Sequence, residues 1–506
     1  MSDAERSRRT LISLTVMLGV IMAVIDTSIV NVAITDMAGT LGASIDEVGW
    51  VVTGYILASV IVMPLNGWLT ARFGRKNFYA GCLVIFTVAS FLCGTATSIW
   101  QLVAYRVLQG IGGGALQPTA QAIIFETYPL EKRSAAMAIF GMGVMVGPAI
   151  GPTLGGILVD NYSWPLIFYI NLPIGIIAFL MTLAFIRDES FHKRDSSPVD
   201  WLGLALLTAG LASLQYVLER GQHDDWFDSQ TIVAMSWVAG ISLIWFVVRQ
   251  LRDPQPLVDL HVFRSRSFTA GNIIGVVAGF GLWGINLMAP LFFENVMGLD
   301  ATQTGIALVP GAIATAISMP IAGRLASRLD GRASIAFGIA TFAYGAWIMG
   351  YLDGNAGYWD VFWPRAIQGF AMGFLFVPLM TLTLGEIPRA ELAGATGVTT
   401  LVRQLGGSLG IAILQFIEQR RESTAYATLA SGVTAANGNV ADLMHRSPNP
   451  LQTLAGLAEM VRANAVTIAY DDIFRLSALL FVISLPTVLL LRVRRHAPAP
   501  AAVALE

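Results

Sequence analysis

The sequence predicts an all-α membrane protein with fourteen transmembrane helices. The chain of 506 residues is 55% hydrophobic and only 13% charged, about half the charged fraction of a typical soluble protein. Its apolar residues form long continuous runs, whereas a transmembrane barrel shows short segments of alternating hydrophobicity. Helices of about 20 apolar residues are long enough to cross the hydrocarbon core of a bilayer.

The apolar runs define spans 1 to 14, numbered in chain order. They cover residues 11–33, 49–70, 78–98, 101–125, 134–159, 166–186, 201–218, 231–248, 268–292, 304–325, 333–352, 361–385, 393–417 and 472–491. The first run is longer than the apolar core of a signal peptide, and no A-x-A cleavage site follows it. We therefore expect span 1 to be retained.

Span 1 contains a carboxylate, Asp26, and span 4 contains a guanidinium, Arg106. A charged side chain inside a span costs about 2.5–3.5 kcal/mol on insertion scales, so it indicates a functional role. Asp26 lies roughly 22 Å from the inner end of span 1, and Arg106 lies roughly 8 Å from the opposite end of span 4. These depths coincide in a core of ~30 Å. We therefore expect an Asp26–Arg106 pair, which is either a static structural pair or a proton-coupling site.

Basic residues orient the spans. If the N-terminus is cytoplasmic, 22 of the 31 basic residues fall in cytoplasmic segments, and the short loops on the other side contain only Arg220. This distribution follows the positive-inside rule. It predicts a multi-pass protein of the cytoplasmic membrane with both termini in the cytoplasm.

The chain also contains an internal repeat. The pattern of Pro64, Gly67, Leu69 and Arg72 recurs 256 residues later, and that of Arg106, Gln109 and Gly110 recurs 259 residues later as Arg365, Gln368 and Gly369. Two parallel repeats with a site between them are a known transporter plan. We therefore predict two homologous bundles of six helices, with spans 7 and 8 inserted between them in sequence and packed peripherally.

Domain boundaries follow from the repeat. They are 1–186 for the first six-helix bundle, 187–267 for spans 7 and 8 with their linkers, and 268–496 for the second bundle. The second bundle includes a long periplasmic loop, 418–471, and the final residues 497–506 are predicted to be disordered.

Two glycine-containing segments are candidate gating elements. The loop between spans 2 and 3 contains Gly67, Arg72, Gly74 and Arg75, which suit a tight turn and could grip neighbouring helix ends; without its repetition it would be only a topology signal. Span 5 carries small and helix-bending residues at Gly147, Pro148, Gly151, Pro152 and Gly155. Such a stripe allows close helix packing and forms either an ordinary helix contact or a bendable seam between the halves. The buried-span arginines Arg365 and Arg403 complete the gating and structural set.

The cargo cavity is expected between the halves, lined by spans 1, 4, 5, 9 and 13 and mainly apolar. Its candidate polar contacts are Asn31, Gln117, Asn286 and Gln415. The five histidines all fall in predicted loops or the tail, and the two cysteines share one apolar run. No Walker motif is present. We therefore expect no catalytic residue, no metal site, no cofactor, no ATP-driven step and no nucleic-acid partner.

These motifs resemble the fourteen-span drug:proton antiporters of the major facilitator superfamily. The matching segments are Asp26–Ala33 in span 1, 67–76 between spans 2 and 3, Arg106 with Gln109 and Gly110 in span 4, and 147–156 in span 5. The residues between spans 7 and 8 and the long loop before span 14 resemble the EmrB subfamily. Ala71 stands where many members have Asp, which argues against an acid-based latch in the first half.

The resemblance implies a major facilitator fold and proton-driven export of amphipathic drugs across a bacterial inner membrane. It also implies an EmrA-like periplasmic adaptor of the membrane-fusion type and an outer-membrane channel in a Gram-negative host.

Within the loop 418–471, Asn449-Pro450 predicts a helix start, either of a short helix packed on its own loop or of an adaptor-docking surface. Alternatives are an exporter of one physiological cargo, such as a fatty acid or secondary metabolite, a proton-coupled uptake symporter, and a membrane-bound acyltransferase. The last would need a catalytic histidine within a span.

Overall fold

The protein, represented by a computed structural model, is described over residues 3–187, 198–326, 328–434, 437–446 and 449–492. Within these ranges all regular secondary structure is helical. The predicted tail 497–506 lies outside the described residues.

Helices occur at every predicted span. Spans 1 to 6 comprise Asp3–Ile29, Ile45–Val62 followed by Asn66–Phe73, Arg75–Gly94, Ile99–Thr127, Arg133–Asn161 and Asn171–Phe185. Spans 7 and 8 are Trp201–Arg220 and Gln230–Arg252. Span 9 consists of Arg266–Gly279, a π-helical turn Phe280–Gly284, and Ile285–Asn295. Spans 10 to 14 are Ala301–Leu325, Gly331–Met349, Tyr358–Leu384, Leu392–Ser431 and Pro450–Ser484.

Twelve helical segments in the described part of the chain are long and apolar enough to cross a membrane. The two remaining predicted spans, Ile99–Thr127 and Gly331–Met349, are helical and pack between helices that meet this criterion. The multi-pass helical fold is therefore confirmed, while the exact count of fourteen crossings stays a prediction.

The first six and last six spans pack in the same pattern. In each set the first span contacts the fifth and sixth, the fourth contacts the second and third, and the sixth contacts the third. Arg106 and Arg365 both lie on the fourth span of their set. The packing therefore reproduces the repeat found in the sequence.

The halves touch on the membrane side that holds the N-terminus, which we call the inner side. Asn66 Nδ2 donates a hydrogen bond to the carbonyl of Ala393 at 2.7 Å. A methyl group on Gly67 would lie 2.7 Å from the Cα of Gly394, so the two backbones meet there without intervening side chains. The structure therefore represents a state with the halves in contact on the inner side.

Span 7 contacts both halves, and its peripheral packing stays a prediction. On the first half, Tyr216 stacks on Trp50 with 5.9 Å between ring centroids. On the second half, Gln215 Nε2 donates to Ser408 Oγ at 2.7 Å. Aromatic and amide groups near the outer end of span 7 thus find partners on both sides.

Span 8 packs on span 7 and is mostly exposed around its circumference. At the inner end, Arg249 Nη2 donates to Asp200 Oδ1 at 2.8 Å. Asp200 also caps span 7 by accepting from the backbone of Gly203. The Arg249 guanidinium holds the pKa of the Asp200 carboxyl below its usual range. The inserted pair is therefore joined by a charge pair at its inner end.

The predicted loop 418–471 is largely helical. Span 13 continues to Ser431 and span 14 begins at Pro450, so the two helices extend together beyond the outer side. The 40 residues of span 13 rise about 60 Å, roughly twice the thickness of the hydrocarbon core. Asn449 caps the second helix, which confirms the predicted helix start. The expectation of a short helix on an irregular loop is wrong, because this helix runs without a break into span 14. We call the parts of these two helices that fall in the predicted loop, residues 418–431 and 450–471, the outer hairpin.

Candidate functional site

Asp26 and Arg106 meet inside the first half. Arg106 Nη1 donates to Asp26 Oδ2 at 2.5 Å, and the two side chains are 1% and 0% exposed for Arg106 and Asp26 respectively. The depths worked out from helix geometry therefore predicted a real contact. Because a buried unpaired charge is costly, each member of the pair reduces the penalty of burying the other.

Two amides complete the environment of the carboxylate. Asp26 Oδ1 accepts from Gln109 Nε2 at 2.9 Å and from Asn171 Nδ2 at 2.8 Å. Asn171 in turn approaches Ser90 Oγ at 3.0 Å. Sequence reasoning gave no role to Asn171, which lies on span 6. Its signal was a polar residue within an apolar run, and the three-residue spacing of Arg106 and Gln109 already placed those two on one helix face.

Span 2 holds the guanidinium from the other side. Arg106 Nε donates to the carbonyl of Val51 at 3.1 Å, and the guanidinium lies 4.3 Å from the ring centroid of Tyr55. Spans 1, 2, 4 and 6 therefore converge on one ion pair. A proton on Asp26 would neutralise the carboxylate and leave Arg106 as an uncompensated buried charge. Protonation therefore favours arrangements in which the pair separates.

The second half contains a similar arrangement without the carboxylate. Arg365 Nη2 donates to Asn286 Oδ1 at 3.0 Å, and Arg365 Nη1 donates to Gln368 Oε1 at 2.9 Å. Asn286 follows Asp26 by 260 positions, which matches the interval of the repeat. Arg365 Nε is buried and has no hydrogen-bond partner among the described residues. Asn286, predicted as a cargo contact, is thus the neutral counterpart of Asp26.

The other candidate cargo contacts are dispersed. Asn31 is exposed, and Gln117 and Gln415 are half-buried on spans 4 and 13. Among the described residues no hydrogen bond joins these three side chains to one another. Their role in cargo binding stays a prediction.

The glycine stripe of span 5 faces span 1 of the same half, so of the two predicted alternatives it forms the ordinary helix contact and not a seam between the halves. A methyl group on Gly147 would lie 2.4 Å from Val24 Cγ1, and one on Gly151 would lie 2.6 Å from Ser28 Cβ. Gly155 likewise approaches Ile29. Small residues are needed there because span 1 lies against the backbone of span 5. The stripe places span 5 directly beside the helix that carries Asp26.

Two prolines were also predicted for this stripe. Pro152 is exposed, and the side chain of Pro148 lies outside the described residues. The face of span 5 that meets the second half is a different one, where Gly141 lies against Met319 and Phe376.

The loop motif 67–76 lies at the inner contact between the halves. Gly74 has a φ of 80°, in the region that favours glycine, and so allows the turn between spans 2 and 3. Arg75 forms an ion pair with Glu126 at the inner end of span 4, and Arg72 lies 5.8 Å from the ring centroid of Trp68. The motif thus fixes the inner ends of spans 2, 3 and 4 where Gly67 meets the second half.

The repeated glycine makes the equivalent contact in the other direction. A methyl group on Gly323 would lie 2.8 Å from the Cβ of Ala138 on span 5. Gly67 and Gly323 occupy the same place in the repeat. Both inner contacts between halves therefore use the same motif position.

A second carboxylate lies at the outer end of span 7, beyond the predicted end at residue 218. Span 7 extends to Arg220, and Glu219 accepts from Gln215 Nε2 at 2.8 Å. Glu219 is half-buried, whereas Asp26 is the only fully buried carboxylate among the described residues. Asp26 is therefore the most deeply buried carboxylate in the described spans.

Comparisons with known proteins agree with this geometry. Residues 16–411 match the Major Facilitator Superfamily profile. The chain is 36% identical over 487 residues to the multidrug export protein EmrB of Escherichia coli strain K12, covering 95% of both chains. It is 32% identical over 494 residues to the fatty acid resistance protein FarB of Neisseria gonorrhoeae, covering 96% of both. The proton:xylose symporter XylE has the same fold, with a TM-score of 0.59 at 13% identity over 94% of this chain and 95% of that one.

Proposed function

Because the chain belongs to the major facilitator superfamily and is a multi-pass membrane transporter, we propose that it exports amphipathic compounds, including drugs, in exchange for protons. The observation that carries the proposal is the fully buried Asp26–Arg106 pair. The similarity to a multidrug export protein and to a fatty acid resistance protein supports drugs and fatty acids as the cargo class.

The pair supplies a proton-dependent switch. Burial of a carboxyl group in apolar surroundings favours its protonated form, whereas a neighbouring guanidinium favours the ionised form. When the halves rearrange, a change in the distance between Asp26 and Arg106 changes the proton affinity of the site. A membrane potential of 100 mV contributes about 2.3 kcal/mol for each charge moved across the bilayer. A change of one pKa unit in a carboxyl group corresponds to about 1.36 kcal/mol. The energy from the membrane potential is therefore comparable with a change of a few pKa units.

Span 5 couples the switch to the movement of the halves. One of its faces contacts span 1 near Asp26 through Gly147 and Gly151, and another contacts span 10 of the second half. Rearrangement of the second half therefore reaches the carboxylate through two close helix contacts. Alternating access then links proton release and uptake to exposure of cargo on opposite sides.

The outer hairpin supports a further part of the proposal, docking of a periplasmic adaptor. It exposes large apolar side chains, with Leu451 79% and Met460 61% exposed. Exposed apolar groups beyond the membrane indicate a protein contact. In a Gram-negative host this hairpin would connect the transporter to an adaptor and an outer-membrane channel, with both termini of the transporter in the cytoplasm.

Transport in reconstituted vesicles tests the function. We expect an imposed pH gradient to drive a fluorescent amphipathic dye across the vesicle membrane in the direction opposite to proton flow. Dye movement that is independent of the gradient would refute proton coupling, and movement of dye and protons in the same direction would establish a symporter instead. Vesicles without protein provide the leak rate.

The adaptor is tested separately by co-purification with a co-expressed membrane-fusion protein. Leu451→Glu with Met460→Glu should abolish co-purification while leaving dye transport in vesicles unchanged. Gln452→Glu, a change of charge beside the apolar positions, is the matched control and should retain the complex. Undiminished co-purification of the double variant would refute docking at this hairpin.

A further inference from the structure

Arg403 is a buried cation that has no oxygen acceptor among the described residues. It lies on span 13 and is 7% exposed. Its polar contact among the described residues is to the thioether of Met380, at 3.9 Å from Nη1, and its guanidinium lies 5.1 Å from the ring centroid of Phe376. A sulfur atom is a weak acceptor, and a ring face only partly compensates a charge. The guanidinium therefore lacks the partner that Asp26 provides for Arg106.

An unsatisfied group from the other half meets the same sulfur atom. Gln121 on span 4 is fully buried, and its Nε2 lies 2.8 Å from Met380 Sδ. Its Oε1 has no hydrogen-bond partner among the described residues. Arg403 and Gln121 thus converge on Met380 from opposite halves. Sites for transported compounds in this type of fold lie near the membrane midplane at the interface between repeats.

The surroundings are rigid and apolar. A methyl group on Gly279 would lie 2.2 Å from the carbonyl oxygen of Arg403, so span 9 holds the backbone of span 13 at this position. Phe376 and Met319 lie together against Gly141 of span 5. One guanidinium beside an aromatic ring and thioethers matches an amphipathic molecule with a single negative charge.

The balance of buried charges points the same way. The fully buried charged side chains of the described residues are Asp26, Arg106, Arg365 and Arg403, one negative and three positive. Protonation of Asp26 would remove the only negative charge. An anion entering the interface would compensate a buried cation that the protein itself leaves unpaired.

We propose that Arg403 and Gln121 form a binding subsite for the carboxylate of an amphipathic monoanionic cargo. In the present state Met380 contacts both side chains, and the halves touch on the inner side. Separation of the halves on that side moves Gln121 away from Met380 and opens the guanidinium to cargo. The inference rests on the proposed export function and specifies one of its cargo classes.

Binding measurements on the purified full-length protein in nanodiscs test the subsite without any proton gradient. The probes are 2-naphthoate and the neutral 2-naphthamide, which share the same ring system. Arg403→Gln should weaken naphthoate binding about 10-fold or more, since a hydrogen bond to a charged group is worth about 1.5–3 kcal/mol. Naphthamide binding should change by no more than about twofold, and Arg403→Lys should restore part of the naphthoate affinity.

A second variant keeps the arginine. Gln121→Glu places a carboxylate against Met380, which Arg403 also contacts, and should weaken naphthoate binding selectively by repelling an anion at the subsite. Unchanged naphthoate affinity in both variants would overturn the proposal, as would equal loss of both probes in both variants. Because no gradient is present, these results do not depend on whether export is coupled to protons.

Discussion

The two halves of the molecule place a buried arginine at the same position and give it different partners. In the first half, Arg106 meets the carboxylate of Asp26 and the amide of Gln109. In the second half, Arg365 meets the amides of Asn286 and Gln368. The scaffold is thus duplicated, but only one copy has a carboxylate facing the arginine.

The difference between the halves also involves the third span of each set, span 3 in the first half and span 11 in the second. Gln368 Nε2 approaches the thioether of Met349 at 3.3 Å, whereas the residue 259 positions before Met349 is Ser90, which belongs to the hydrogen-bonded network of Asp26. The first half supports a charged carboxylate with oriented polar groups, and the second half replaces the same positions with neutral or weakly polar ones. We infer that proton coupling is confined to the first half.

Asp26→Asn removes the difference and should have the largest effect. It makes the first half resemble the second, so gradient-driven export should fall to the rate of protein-free vesicles. Cargo binding measured without a gradient should be largely retained, because the amide is nearly isosteric with the protonated carboxyl group.

A nearby exposed carboxylate provides the control for this variant. Asp36 lies on the helix Ile34–Leu41 and is exposed, so Asp36→Asn should leave export unchanged. Full proton-coupled export by Asp26→Asn would show that the coupling carboxylate lies elsewhere, and Glu219 would then be the next residue to change.

Truncation of the two arginines should reduce the folding stability of the protein by different amounts. Arg106→Ala leaves Asp26 buried without its counter-ion and should cost about 3–5 kcal/mol of folding stability. Arg365→Ala leaves only neutral partners and should cost much less. Thermal unfolding of both variants in the same detergent measures the contrast, and equal destabilisation would show that the ionic partner is unimportant. In the Asp26→Asn background, the cost of Arg106→Ala should shrink.

Asn286→Asp tests the comparison from the other side. It gives Arg365 a carboxylate partner, which compensates a buried positive charge that now meets only neutral groups. The melting temperature should therefore rise at neutral pH, and the gain should disappear as the new carboxyl group is protonated at low pH. A lower melting temperature at neutral pH would mean that the second half cannot solvate a carboxylate.

The smallest effect concerns the contact between the halves at Gly67 and Gly394. A methyl group on Gly67 meets the facing backbone at 2.7 Å, whereas one on Gly394 meets it only at 3.8 Å. Gly67→Ala should therefore disfavour the state with the inner sides in contact, and Gly394→Ala should not. Labelling of a cysteine introduced at Thr119, which hydrogen bonds Asn66 at this contact, should speed up several-fold only in the first variant. Equal labelling rates in the two variants would show that the contact accommodates the methyl group without separation of the halves on the inner side.

Much of this architecture was predictable from local patterns. Spans are encoded by continuous apolar runs, and the Asp26–Arg106 contact follows from two depths along helices of known rise. The repeat predicted that Arg106 and Arg365 would lie on equivalent helices, which the packing reproduces. Each of these inferences uses a pattern along the sequence. The pattern gives the position of a residue in the fold because each span crosses the membrane from one side to the other.

What remained hidden depends on which way a helix face points. The glycine stripe of span 5 was visible as a pattern, but its partner could be span 1 or the other half until the helices were packed. Asn171 and Gln121 are polar residues in spans, and no spacing rule relates them to Asp26 or Arg403. Span 7 lacks a counterpart in the repeat, so nothing in the sequence indicated that it contacts both span 2 and span 13.

The position of span 7 has a consequence for how molecules dissolved in the bilayer approach the interior. Two lateral seams run between the halves, one beside spans 2 and 13 and one beside spans 5 and 10. Span 7 covers the first, through Trp50 and Ser408 on its two sides. Near the outer end of span 7, acyl chains and lipophilic solutes therefore meet a helix instead of the seam between spans 2 and 13.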